Sequence, residues 1–112
     1  KLCQFIVLKS GNDMCSILID EIEWVEAVNR QVVFNLVDGK KLEVRDTFNN
    51  IQNKLLLYPG FFKPHRSYIV NFKHVEHFNT KEIFMRGSKL CIPLSRGMDK
   101  EFKDKYFSFM FS

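Results

Sequence analysis

A mostly β fold with one short inserted helix and one C-terminal helix is predicted by three observations. Short β-rich runs such as Phe5-Ile6-Val7-Leu8 and Val32-Val33-Phe34 recur along the chain. Turn-forming residues separate them, at Gly11-Asn12-Asp13, Asp38-Gly39, Asn79-Thr80-Lys81 and Gly87-Ser88. The apolar period lengthens to that of a helix only twice, after Asp46 and after Ser95.

Residues 2–9 are apolar on both faces at their centre and read as the first strand. Gly11-Asn12-Asp13 turns the chain, because Gly and Asn tolerate positive φ, and residues 14–19 complete a hairpin. Asp20-Glu21 is a short polar joint of one helical turn. Residues 22–28 form the third strand, with Ile22, Trp24 and Glu26 on one face and Glu23, Val25 and Ala27 on the other. Asn29-Arg30-Gln31 breaks the pattern as a loop, and residues 31–37 resume as a strand. Asp38-Gly39 is the strongest turn signal, since a tight type I′ turn requires positive φ at both central residues. Residues 40–45 then alternate, with Leu42 and Val44 inward.

Asp46 or Thr47 caps a helix by accepting from the free N–H groups of its first turn. Phe48, Ile51 and Leu55 share one face of that helix. Tyr58-Pro59-Gly60 ends it. In the next stretch, residues 61–71, Lys63, His65 and Arg66 stand between Phe61-Phe62 and Tyr68-Ile69-Val70. The flanks belong in a core and the charged heads in water or against a negative partner. A core strand with a solvated basic turn is the plain expectation.

Residues 74–78 and 82–86 read as a further hairpin. Residues 89–94 follow as a strand with Leu90, Ile92 and Leu94 on one face; Pro93 cannot donate to a ladder and assigns it to an edge. Ser95 is expected to cap the last helix. Met98, Phe102, Tyr106 and Phe109 repeat at helical spacing, and Asp99–Lys103 and Glu101–Lys105 are i, i+4 pairs on a solvated side. Phe107, Met110 and Phe111 leave its end apolar, to pack on a sheet or to meet another segment.

With 112 residues the chain fits one domain, spanning residues 1–112, large enough for a core without staples. The 12 phenylalanines fill that core. The net charge of +4 favours a polyanionic partner, nucleic acid or an anionic membrane surface. Cys3, Cys15 and Cys91 are odd in number and widely spaced, as befits structural thiols in a reducing compartment. No apolar run approaches the roughly 18 residues of a membrane span. The chain opens at Lys1, as a piece of a longer protein would.

Catalytic signatures are missing. No P-loop, GxGxxG, GxSxG or HExxH pattern occurs. Glu21 and Glu23, and likewise His74 and His77, sit poorly for shared chemistry. The reading is against an enzyme, and no cofactor or metal site is expected. What is present is a set of polar and basic connections: Asn29-Arg30-Gln31, Lys63 to Ser67, Lys73-His74, Arg86 to Lys89, and Ser95-Arg96. Arginine bonds guanine O6 and N7 in bidentate fashion, and Asn and Gln do the same with adenine. Lysine and hydroxyl groups suit phosphate oxygens. Brought to one edge, these loops would form a DNA reader.

Three segments carry a family resemblance. Phe61-Phe62-Lys63-Pro64-His65-Arg66-Ser67-Tyr68-Ile69-Val70-Asn71, Cys91-Ile92-Pro93-Leu94-Ser95-Arg96 and Asp20-Glu21-Ile22-Glu23-Trp24-Val25-Glu26 resemble, in order and spacing, the motifs of the LytTR-type DNA-binding domain of bacterial transcriptional regulators. The resemblance implies elongated antiparallel β-sheets whose loops enter successive major grooves. It implies base or backbone contacts at Arg66 and Arg96 and a third contact within Asn29-Arg30-Gln31. Lys63, His65, Ser67, Lys89 and Ser95 would flank the DNA as phosphate contacts. It also implies a short helical turn over residues 67–71, capped by Ser67. A cytoplasmic, two-component regulator is implied, with an N-terminal receiver domain in the longer chain and a homodimer on promoter direct repeats. Some members carry a cysteine, able to pair with the one at the Cys91 position, where Pro64 stands here. A redox switch using that pair is therefore not supported.

Two other readings stand beside this one. A β-barrel module of pleckstrin-homology type would bind phosphoinositides or protein with its basic loops, although its customary tryptophan in the terminal helix is absent here, Trp24 lying on an early strand. A protein-binding domain would use the aromatic C-terminus.

Overall fold

The structure is a computed structural model and describes residues 4–112; Cys3 and the start of the expected first strand lie outside the described residues. Among the described residues, ten strands form three antiparallel sheets, accompanied by two α-helices. Strands β1 (Phe5–Ser10) and β2 (Asp13–Leu18) make a hairpin, and a 3-10 turn at Ile19–Glu21 supplies the polar joint. The central sheet contains β3 (Ile22–Val28), β4 (Gln31–Leu36), β5 (Lys41–Val44), β6 (Phe61–His65) and β7 (Tyr68–Asn71), in the order β5-β4-β3-β7-β6. The third sheet contains β8 (Val75–Phe78), β9 (Glu82–Met85) and β10 (Cys91–Pro93), with β10 on an edge as Pro93 requires. Helix α1 (Phe48–Leu55) is inserted between β5 and β6, and α2 (Asp99–Met110) ends the chain.

Both faces of the central sheet are covered at β3, β6 and β7, which explains why β6 and β7 carry apolar residues on both sides, whereas β5 leaves Lys41 and Glu43 exposed. One core joins Val25, Phe34, Phe61 and Ile69 of the sheet to Ile6 and Leu8 of β1 and to Ile51 and Leu55 of α1. The other joins Trp24, Phe62 and Val70 to Ile83, Ile92 and Phe102, the last from α2. Successive residues of β6 and β7 therefore enter opposite cores: Phe61 and Ile69 one, Phe62 and Val70 the other. Aromatic rings fill the second core, with Phe102 edge-on to Phe62, Phe72 and Phe78 at 5.4, 5.4 and 4.9 Å. Edge-to-face rings at such spacing gain about 0.5–1.5 kcal/mol beyond burial. Met98, Tyr106 and Phe109 pack onto the same core, as the helical spacing predicts.

Four local expectations are corrected. Ile22 and Trp24 do not share a face: the register of β3 shifts between them, so that Ile22 and Val25 face one core and Trp24 the other. An extra residue in a strand inverts the alternation beyond it. Residues 67–71 are not a helical turn, because Tyr68–Asn71 is a strand paired on both sides, with β3 and β6. Ser95 does not cap α2 with its side chain; the N-cap is Met98, whose N–H donates to the Ser95 carbonyl at 3.0 Å. Of the two pairs expected on α2, Glu101–Lys105 forms at 3.8 Å, and Asp99–Lys103 is not among the ion pairs of the described residues.

Candidate nucleic-acid interface

The β3–β4 connection is tighter than a loop. Val28 pairs with Gln31, so only Asn29 and Arg30 turn the chain, with φ of 47° and 67°. Positive φ at both central residues is the type I′ requirement. Asn accepts it readily; arginine does so at a cost of roughly 1–2 kcal/mol. The Asp38-Gly39 turn also holds two left-handed residues, at 66° and 74°, inside a three-residue connection closed by Leu36 N–H donating to the Lys40 carbonyl at 2.8 Å.

The β6–β7 turn presents Arg66. His65 pairs with Tyr68 across it. The backbone N–H of Ser67 donates to Nδ1 of His65 at 3.1 Å, which requires the imidazole to carry its proton on Nε2. The same ring lies edge-on to Tyr68 at 5.7 Å. His65 thus braces the turn on which Arg66 is exposed, while Ser67 is half-buried.

Two long-range backbone bonds gather the arginine turns. Ala27 N–H donates to the Ser67 carbonyl at 2.9 Å, so the β3–β4 and β6–β7 turns leave the central sheet at the same end. Ser95 N–H donates to the Pro64 carbonyl at 2.8 Å and sets the turn of Ser95, Arg96 and Gly97 beside β6. Pro64 is able to serve because β6 bulges there: Lys63 and Pro64 fall between the pairs Phe62–Val70 and His65–Tyr68. Gly97 closes the third turn with φ of 84°, where a side chain would be strained.

The strand order then lines the turns up. Asn29-Arg30 sits over β4 and β3, Arg66-Ser67 over β7 and β6, and Ser95-Arg96 beyond β6. With strands about 4.8 Å apart, the row from β5 to β6 runs roughly 20 Å. Arg30, Arg66 and Arg96 are exposed, and none has an acidic ion-pair partner among the described residues. Long unpaired guanidinium groups on rigid turns can engage base edges or phosphates.

Two of the residues singled out from sequence, Lys63 and Lys89, are placed otherwise. Lys63 turns to α1, where its ammonium donates to Gln52 Oε1 and lies 5.6 Å from the centre of the Phe48 ring. Lys89 lies with Arg86 and Ser88 along Glu23, Trp24 and Asp38 to Lys41, at the opposite end of the β3–β4 ladder from Arg30. Gln31 is exposed as the first residue of β4. Arg45, which its sequence context does not mark, shares a cleft with Arg30 and Gln31. Its only signal is its position one residue past β5, whose Val44 pairs with Val32 beside that turn.

Cys91 donates its thiol to Glu82 Oε2 at 3.3 Å. That bond to the carboxylate pushes the thiol above its ordinary range, with burial adding to the effect. A thiol so held is a poor nucleophile.

The chain matches the family of LytTr DNA-binding domains over residues 12–106. Its fold is similar to a solved structure, the LytTr DNA-binding domain of a methyl-accepting/DNA response regulator from Bacillus cereus. The TM-score is 0.71 at 18% identity, with 90% of this chain and 94% of that chain covered. No curated protein matches. The pleckstrin-homology alternative finds no support: β5 and β6 stand at opposite ends of the central sheet, which does not close into a barrel. By its match over residues 12–106 the chain belongs to the LytTR family, and it is a DNA-binding domain.

Proposed function

We propose that this domain reads double-stranded DNA by sequence through its three arginine turns, as the DNA-binding part of a bacterial two-component transcription regulator. The observation that carries the reading is the pair of backbone bonds, Ala27 to Ser67 and Ser95 to Pro64, that aligns Arg30, Arg66 and Arg96 on one edge. Arg66 and Arg96 take the base contacts, and Asn29-Arg30 with Gln31 the third. Ser67 and Ser95 hold phosphates beside them. His65 fixes the Arg66 turn and offers its outer nitrogen to the backbone of the duplex. Lys63, held by Gln52 and the Phe48 ring, and Lys89, at the opposite end of the β3–β4 ladder, lie off the row and contribute only a weak long-range attraction for phosphates. A receiver domain in the longer chain, a homodimer on direct repeats and a cytoplasmic location complete the proposal.

The experiment is a mobility-shift titration of selected and random duplexes across several salt concentrations. Log affinity should fall by about 0.9 per decade of salt for each phosphate neutralised. Selected duplexes should bind at least ~10³-fold more tightly than random ones. Equal affinity for both would contradict reading by sequence.

A further inference from the structure

We propose that Lys9 and Arg45 form an additional phosphate-binding site that extends the DNA-facing row beyond Arg30, through the tip of the β1–β2 hairpin. This rests on the DNA-binding reading of the three arginine turns.

The geometry begins at the end of β5. Val44 pairs with Val32, so the next residue, Arg45, stands level with the Asn29-Arg30 turn. There the hairpin joins the sheet: the Arg45 N–H donates to the Lys9 carbonyl at 2.8 Å. This bond carries the first hairpin to the same end of the molecule as the arginine turns. One open cleft is lined by Ser10 and Gly11 of the hairpin, by Arg30 and Gln31, and by Arg45. The hairpin tip is short, because Ser10 pairs with Asp13 and only Gly11 and Asn12 turn the chain. Gly11 has φ of 60° and open space around it, so the backbone at the tip is accessible.

Charge agrees with this placement. Lys9 and Arg45 are both exposed, and neither has an acidic ion-pair partner among the described residues. Two acids line the cleft, Glu43 and Asp46. Asp46 is already engaged, accepting from Thr47 N–H at 2.8 Å and from Asn50 Nδ2 at 2.9 Å, with Lys54 at 3.8 Å. With Lys54 beside Asp46 and Asp13 at the hairpin tip, four cations (Lys9, Arg30, Arg45 and Lys54) stand against three acids (Asp13, Glu43 and Asp46). The edge therefore keeps a net positive charge past the last base-reading turn.

The row from Arg45 to Ser95 follows the strand order, and with strands ~4.8 Å apart it spans roughly 25 Å. A duplex turn is ~34 Å. A row of that length crosses one groove and meets the backbone on its far side. Arg66 and Arg96 occupy one part of the row; Lys9 and Arg45 terminate the other, where phosphates rather than base edges come within reach.

The test uses Lys9→Ala, Arg45→Ala and the double variant, with Lys103→Ala on the exposed side of α2 as control. Affinity for selected and random duplexes is measured across salt. Each single variant should bind both duplexes about 3–10-fold more weakly, and should lower the salt slope by about 1. The double variant should lower it by about 2, with sequence preference unchanged. Unchanged affinity and slope in the double variant, while the unmodified protein binds DNA, would overturn the site and leave the arginine turns standing. A changed base preference in Arg45→Ala would overturn the phosphate assignment. Thermal melting of each variant confirms folding, since both side chains are exposed.

Discussion

The backbone N–H of Ser95 donates to the carbonyl of Pro64 at 2.8 Å, and through this bond the Arg96 turn rests against the strand that leads to Arg66. The bond depends on the bulge at Lys63-Pro64, which frees a carbonyl from the β6–β7 ladder. A proline here loses nothing, since the bulged position has no ladder bond to donate.

Ser95→Pro removes that donor and keeps the turn's length. A lost backbone bond of this kind costs about 0.5–1.5 kcal/mol. Thermal melting should report a loss in that range. DNA affinity should fall by as much as in Arg96→Ala, and combining the two changes should add little. Full additivity in a double-mutant cycle would show that the bond does not position Arg96.

Arg30 holds φ of 67° in a turn that glycine would occupy without strain. Strain of this kind on an exposed tip favours a functional role for the side chain. Arg30→Gly should raise stability by about 1 kcal/mol in denaturant titration while weakening DNA binding. Loss of stability together with unchanged binding would contradict both halves.

Lys63 is held by Gln52 and the Phe48 ring, so its stem acts mainly as packing between β6 and α1. Lys63→Met should keep that packing and change DNA affinity by less than about 0.5 kcal/mol. A larger loss, uniform across sequences, would mean that the ammonium leaves Gln52 for a phosphate.

Helix α1 begins where Thr47 Oγ1 accepts from Asn50 N–H at 3.1 Å, with Asp46 bracing the same turn. Thr47→Ala should cost about 1 kcal/mol. The Asn50 side chain, with Thr47 N–H and Lys54 assisting, holds the Asp46 carboxyl below its ordinary value of 3.8. A lowered folded value means that the stabilisation is present above 3.8 and lost as pH falls through the lower value. The stability difference between the protein and Asp46→Asn should therefore shrink on acidification below that point. A difference that stays constant to the lowest pH would exclude the carboxylate.

The elements were legible in the sequence wherever local chemistry decides them. β3 runs over residues 22–28 as alternation and turn residues indicate, and α1 starts at the Thr47 cap. The bulge at the start of β3 was not legible, because a period of two carries no mark of an inserted residue. Neither was the type I′ turn at Asn29-Arg30, which lacks the usual glycine. The helical turn expected at residues 67–71 came from resemblance and yielded to pairing on both sides of β7. For the interface, the arginines were visible as residue types between rigid elements. Their convergence was not, since it depends on bonds between residues 27 and 67 and between 64 and 95. The direction of Lys63 depends likewise on a helix elsewhere in the chain.

The most direct test of the interface is selection of bound sequences from a random duplex pool by the protein, by Arg66→Ala and by Arg96→Ala. Each bidentate contact to guanine discriminates by about 1–3 kcal/mol. Each variant should therefore lose preference at its own base positions and keep it at the other's, in a fixed spacing set by the row of turns. Two variants that retain the unmodified preference at every position would contradict reading through these turns.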